Sequence, residues 1–234
     1  MRIRVGTSGY SYKEWKGTFY PEDLPAAKML AYYAERFDSV EINNTFYRMP
    51  DAKMVAKWGE QAPDGFTFVL KAPQRITHMK KLAGAGADVG YLFDTARTLG
   101  TKLGPILFQL PPYLKKDAAT LHDFVAELPE EGKVAFEFRH ASWFDEDVYK
   151  ILRDRDIALC AADTDEVTDV DALVVPTASW GYMRLRRAEY TAAELEAWAA
   201  RVQRQAWSEA YVFFKHEDEG KGPRFAVEFR AHLR

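Results

Sequence analysis

Val40-Glu41-Ile42-Asn43, Phe136-Glu137-Phe138-Arg139 and Met183-Arg184-Leu185-Arg186 share one pattern, in which an apolar residue alternates with a charged or amide residue. An extended strand turns successive side chains to opposite faces, so each stretch has one apolar face and one charge-bearing face. Working outward from these three, short β-type runs recur along the whole chain. The predicted strands are Ile3 to Thr7, Ser39 to Asn43, Phe66 to Lys71, Pro105 to Leu110, Lys133 to Arg139, Ile157 to Ala162, Tyr182 to Arg186 and Ala210 to Lys215. Between them the pattern predicts helices near Ala26 to Arg36, Ala52 to Gln61, Ala87 to Leu99, Ala118 to Leu128, Asp145 to Arg155 and Ala192 to Gln205, with a last one near Arg224 to Leu233. Thr164 to Leu173 is too short and polar to read as a helix.

Eight strands alternating with helices fit an open doubly wound sheet or a closed barrel. Helices cover both faces of an open parallel sheet, so its central strands are almost wholly apolar. Polar residues at alternate positions near the strand ends instead suit a barrel whose interior opens into a site. With no Pro/Gly/Ser linker in the chain, the expectation is a single (β/α)8 TIM-like barrel domain over residues 1–234, its strands parallel and its site at their C-terminal ends. Gly6-Thr7-Ser8-Gly9 is too weak a match to a dinucleotide-binding turn to support one.

At 234 residues and 47% hydrophobic composition, the chain is long enough to bury a substantial core. Its lone Cys160, in the apolar run Ile157 to Ala162, forms no intrachain disulfide and reads as a buried thiol. A formal net charge of -3 makes no global case for nucleic acid or a membrane surface. The N-terminus lacks the apolar run and cleavage site of a secretory signal, and no stretch approaches the length of a membrane span. A cytoplasmic location is therefore expected, and no protein partner can be inferred.

In such barrels the loops after the strands build the site, so strand-end polar residues are where chemistry is sought. Glu41, Glu137 and Asp163 are expected to face inward with Lys71, Arg139, Arg184, Arg186 and Lys215, giving a locally cationic pocket suited to a phosphate or carboxylate. Mutual neutralisation as buried ion pairs is the competing reading. Glu137 beside Arg139 is expected to stay ionised, while Glu41 between Val40 and Ile42 is the candidate for a raised pKa and a general-acid role. Lys71 would stabilise an oxyanion or, if desolvated, act as an amine nucleophile. Asn43 and Gln109 would orient substrate.

Aromatic residues cluster in the first two loops. Tyr10, Tyr12 and Tyr47 keep hydroxyls that suit a wet site, whereas Trp15, Phe19 and Phe46 read better as a packed lid. His78, His140 and His216 fall just beyond strand ends, but without metal-ligand spacing. No cofactor is expected, and a metal is the weaker alternative. The run Lys71 to Lys81, which includes Arg75 and Lys80, is basic enough to track a nucleic-acid backbone, although a solvated charged loop is the commoner outcome.

Gly6 to Tyr12 with Trp15 and Phe19-Tyr20-Pro21, and Val40 to Arg48 with Pro50, together resemble the domain-of-unknown-function family 72. So do Phe68 to Pro73 with Ile76-Thr77-His78, Leu103 to Pro112, and Ala135 to His140 with Ser142-Trp143. The resemblance implies a TIM-barrel-like fold and brings no assigned activity. Two departures stand out: Arg184-Leu185-Arg186-Arg187 replaces the family's Arg-x-His-Gly, and Lys215-His216 replaces its pair of asparagines. The first leaves no histidine on the seventh strand for metal binding or proton transfer.

The leading expectation is a metal-independent acid/base enzyme acting on a small anionic or sugar-like substrate, with Glu41 and Glu137 as the proton-handling pair. Lys71, Arg139 and Arg184 would hold charge on the substrate, and Asp163, Lys215 and His78 would line the site. The alternatives are an endonuclease-like barrel that binds or processes nucleic acid, and a non-catalytic small-molecule sensor.

Overall fold

A computed structural model describes residues 1–215 and 218–233. Eight parallel strands, β1 (Arg2–Ser8), β2 (Ser39–Ile42), β3 (Thr67–Lys71), β4 (Leu103–Gln109), β5 (Val134–Glu137), β6 (Ala158–Asp163), β7 (Gly181–Leu185) and β8 (Glu209–Phe214), pair in chain order, and β8 returns to β1 to close a barrel. The strands fall where the alternation places them, within a few residues at each end. Around them lie α1 (Met29–Ala34), α2 (Asn44–Tyr47), α3 (Ala52–Gln61), α4 (Gly86–Ala96), α5 (Ala118–Glu127), α6 (Glu146–Arg153), α7 (Ala192–Gln203) and α8 (Lys221–Ala231). Local sequence starts several of these helices: Asp51, Asp117 and Asp145 accept a backbone N–H in the first turn, and Thr191 and Glu194 form a reciprocal capping box. No described helix is long and apolar enough to cross a membrane.

The connection from β6 to β7 departs from the repeating pattern, because it holds only a short 3-10 turn at Asp171–Leu173. Thr164 to Val170 offers no apolar stripe to pack against the sheet, so no helix covers the barrel there. After β3, a single π-helical turn (Arg75–Met79) carries His78 to the mouth.

Strand residues divide by parity into two buried groups. Val40, Phe68, Phe108, Phe136, Met183 and Val212 belong to the large core between strands and helices. Val69, Leu107, Ala135, Ala158, Cys160, Tyr182, Tyr211 and Phe213 fill a separate interior cluster. Ala158 and Cys160 give β6 a thin inner face, which leaves room for Tyr182 and Tyr211, stacked with centroids 6.4 Å apart. Burial raises the Cys160 thiol well above its ordinary value, consistent with an inert core residue. At Gly6 any Cβ would lie 2.0 Å from the Ser39 carbonyl oxygen, so β1 and β2 pair as they do because residue 6 lacks one. Above the apolar cluster the interior turns polar: register sets Ser8 beside Glu41, Gln109 beside Glu137 and Ala162 beside Arg184.

Candidate functional site

Arg184 forms the floor of the mouth. Its Nη2 donates to Glu41 Oε1 at 2.9 Å and its Nη1 to Glu137 Oε2 at 2.5 Å, and all three side chains are buried. Tyr182, two residues earlier on the same inner face, donates its hydroxyl to Glu41 Oε2 at 2.6 Å. Glu137 Oε1 accepts from Arg139 Nε at 2.9 Å and lies 3.6 Å from Arg186 Nη1, while Arg139 Nη2 donates to Gln109 Oε1 at 3.1 Å. Burial alone would raise the Glu137 carboxyl pKa; the Arg184, Arg139 and Arg186 guanidiniums overcome that and hold it at about 2. Glu137 is thus ionised at neutral pH, as expected. Glu41 is engaged by a guanidinium and a phenol rather than enclosed by its apolar neighbours.

Lys71 stands above this floor at the end of β3. Thr45 Oγ1 donates to its carbonyl at 2.6 Å, and its Nζ sits 4.0 Å from the centroid of the Phe46 ring. It makes no ion pair among the described residues, since both nearby carboxylates are taken by arginines. Burial first, then the Arg184 and Arg139 charges, lower its pKa to about 8 against the opposing pull of Glu137 and Glu41. His78 packs edge to face with Phe46, ring centroids 4.9 Å apart, and its Nδ1 lies 2.9 Å from Thr77 Oγ1. Burial, Lys71 and Arg139 lower its pKa as well.

These groups open into a cavity of about 560 Å³. Gly9, Tyr10, Ser11 and Tyr12 from the first loop form one wall, and Asn43, Asn44, Phe46 and Tyr47 form the next. Lys71, His78, Gln109, Arg139, Arg184, Arg186 and Lys215 complete it. The mouth therefore gathers the expected Tyr10, Tyr12, Asn43, Tyr47, Lys71, His78, Gln109, Arg139, Arg184 and Lys215, with Glu41 and Glu137 beneath. Arg186, Phe46 and Ser11 also line it. Even without Lys215, four cations (Lys71, Arg139, Arg184, Arg186) meet two carboxylates. The Nε atoms of Arg184 and Arg186 are buried without a hydrogen-bond partner among the described residues.

Asp163 is placed elsewhere. Its odd position on β6 opposes the inward Ala158, Cys160 and Ala162, and its carboxylate points out among the helices. There it accepts from Arg187 Nε at 2.8 Å, Tyr190 Oη at 3.1 Å and Trp198 Nε1 at 3.0 Å. The inward count of carboxylates therefore falls from three to two. Trp15, Phe19 and Tyr20 pack with one another and with Tyr32 instead of facing the cavity, but Phe46 does line it. His140 accepts from the Ser142 backbone N–H in the turn after β5, and His216 lies outside the described residues. Among the described residues no three His, Cys, Asp or Glu side chains are grouped as metal ligands. In the basic run after β3, Arg75 and Lys80 both bind Asp88, at 2.9 and 2.8 Å, which neutralises much of its positive character.

Tyr182 was the partner that sequence reading passed over. Its place two residues before Arg184 was the available signal, because both fall on the inner face of one strand.

A closed parallel barrel with a charged cavity at its C-terminal strand ends is the architecture of the (β/α)8 class, which supports many unrelated chemistries. Within that class the chain belongs to the family described as "Protein of unknown function DUF72", whose model matches residues 4–234. The UPF0759 protein YecE of Escherichia coli K12 is 32% identical over 143 residues, 61% of this chain and 50% of that protein. YunF of Bacillus subtilis is 28% identical over 156 residues, 63% of this chain and 54% of that protein. The matched regions thus span about half the length of these relatives. A DUF72 family protein of Thermotoga maritima aligns over 99% of this chain and 98% of its own, with 27% identity and a TM-score of 0.86. A glycoside hydrolase family 5 enzyme from Prevotella bryantii shares the fold at 9% identity and a TM-score of 0.57, over 99% of this chain and 96% of its own.

Proposed function

We infer that the protein is an acid/base enzyme acting on a small anionic, sugar-sized substrate held at the barrel mouth. The observation that carries this reading is Lys71, a desolvated ammonium with no carboxylate partner among the described residues, sharing one cavity with the Arg139, Arg184 and Arg186 guanidiniums. An oxyanion entering the cavity would meet Lys71 together with the partly open guanidiniums of Arg139 and Arg186. Asn43, Gln109 and the Tyr10 and Tyr12 hydroxyls would orient the uncharged part of the ligand.

The proton-handling role assigned from sequence to Glu41 and Glu137 passes to Lys71. Both carboxylates are fully buried and committed to Arg184, so they fix the guanidinium rather than reach a substrate. An amine that titrates near neutrality is suited to giving and taking a proton. Calorimetric titration with inorganic phosphate, followed by turnover assays on a panel of phosphorylated and carboxylated sugars, tests the reading. Binding and turnover that both weaken at least severalfold in Lys71→Met support it, whereas no anion affinity in the native chain removes it.

A further inference from the structure

We propose that Lys71 condenses with the carbonyl group of a small aldehyde or ketone that also carries a carboxylate or phosphate, forming an imine at the barrel mouth. This rests on the reading of the mouth as an anion site and adds a covalent step to it.

Imine formation asks for an amine that is accessible, unlocked by ion pairing and able to shed its proton, with an anchor nearby for the rest of the substrate. Lys71 meets the first three conditions. It lines the cavity, it makes no ion pair among the described residues, and its burial beside the Arg184 and Arg139 guanidiniums disfavours its positive charge. With a pKa of about 8, roughly a quarter of the amine is neutral at pH 7.5, against about one part in a thousand for an ordinary lysine. Thr45 holds the Lys71 carbonyl, so the side chain springs from a fixed point at the strand end. The anchor is the pair of guanidiniums of Arg139 and Arg186, which line the same cavity and keep 29% and 19% of their side-chain surface open.

His78 supplies a proton carrier. Its lowered pKa leaves the imidazole neutral at neutral pH, and Thr77 occupies only Nδ1. The step balances without an oxidant or reductant. The neutral amine attacks the carbonyl carbon, a C–N bond forms as the C–O π bond breaks, and the nitrogen gives up one proton as the oxygen takes one up. The resulting carbinolamine hydroxyl is protonated and leaves as water, giving a protonated imine. Taken from the ammonium, one positive charge enters and one remains, so the arginine-rich surroundings see no change in charge. A substrate lacking an anionic group would add nothing to offset those cations, which is why the carboxylate or phosphate belongs to the proposed class.

Borohydride trapping tests this directly. The full chain is incubated with pyruvate, with dihydroxyacetone phosphate, or with neutral hydroxyacetone, reduced, and mapped by peptide mass spectrometry. Phosphate and pyruvate affinities are measured in parallel by calorimetry. The expected result is one reduced adduct on Lys71, absent in Lys71→Arg, and roughly tenfold or more weaker with hydroxyacetone, as loss of a charge-assisted contact implies. Labelling by pyruvate alone or by the phosphate ester alone identifies which anion the site takes. Anion binding with no adduct, or adducts spread over surface lysines and unchanged in Lys71→Arg, overturns the imine and leaves the anion-site reading standing. Absence of any anion binding overturns both.

Discussion

Arg184 Nη2 donates to Glu41 Oε1 at 2.9 Å, an ion pair that joins two strands, β7 and β2, which are not neighbours in the barrel. The same guanidinium reaches Glu137 on β5, so one side chain bridges three separate parts of the wall. Such a bridge is favourable only while all its members are present, because each charge has given up its water.

Replacing Arg184 with Met leaves two buried carboxylates without their common partner. The expected loss of stability is about 3–5 kcal/mol, read from chemical denaturation. Adding Glu41→Gln and Glu137→Gln to that variant is expected to recover a large part of the loss. A single variant as stable as the native chain would contradict the arrangement.

Glu137 gives the protein an acid-sensitive component. Its folded pKa of about 2 lies below the ordinary carboxyl value of 4.5, so its contribution is complete above pH 4.5 and is lost as pH falls toward 2. The urea midpoint should decline over that window, and the decline should be shallower in Glu137→Gln. That variant should also be less stable at pH 7.

Lys71 works in the opposite sense. Its folded pKa of about 8 lies below the unfolded 10.5, so the unfolded chain binds more protons between those values and stability rises with pH across that window. Lys71→Met removes the rise and is expected to be more stable than the native chain at pH 7, by on the order of 3 kcal/mol, with the difference vanishing above pH 10.5. Isotope-edited NMR of the lysine side chains should show one resonance with a midpoint near 8.

Asp163 separates structure from site. Asp163→Ala strips Arg187, Tyr190 and Trp198 of their shared acceptor and should cost roughly 2–4 kcal/mol. Calorimetry with phosphate should find the affinity of the mouth unchanged within a factor of about two, a difference of only ~0.4 kcal/mol.

The barrel and most of its charged mouth were legible because the signal was strong where it mattered. Glu41, Glu137 and Arg184 each sit between apolar neighbours, and a period of two leaves no choice of face once the core side is known. Asp163 was misplaced because β6 is apolar on both faces, so nothing in Ala161-Ala162-Asp163 marks the phase of the strand. The small inward residues of β6 are intelligible only beside Tyr182 and Tyr211, which arrive from elsewhere in the chain. α2 and the π turn after β3 were invisible for another reason: four or five residues are too few to establish a helical period. Which arginine takes which carboxylate is a three-dimensional matter that no spacing encodes.

The bridge at Arg184 also bears on how this sequence can vary. A lysine at 184 offers one compact charge and no planar fork, so it cannot serve carboxylates on β2 and β5 at once. Substitutions at 41, 137 and 184 are therefore non-additive, and a tolerated route between two working combinations has to change more than one position in concert.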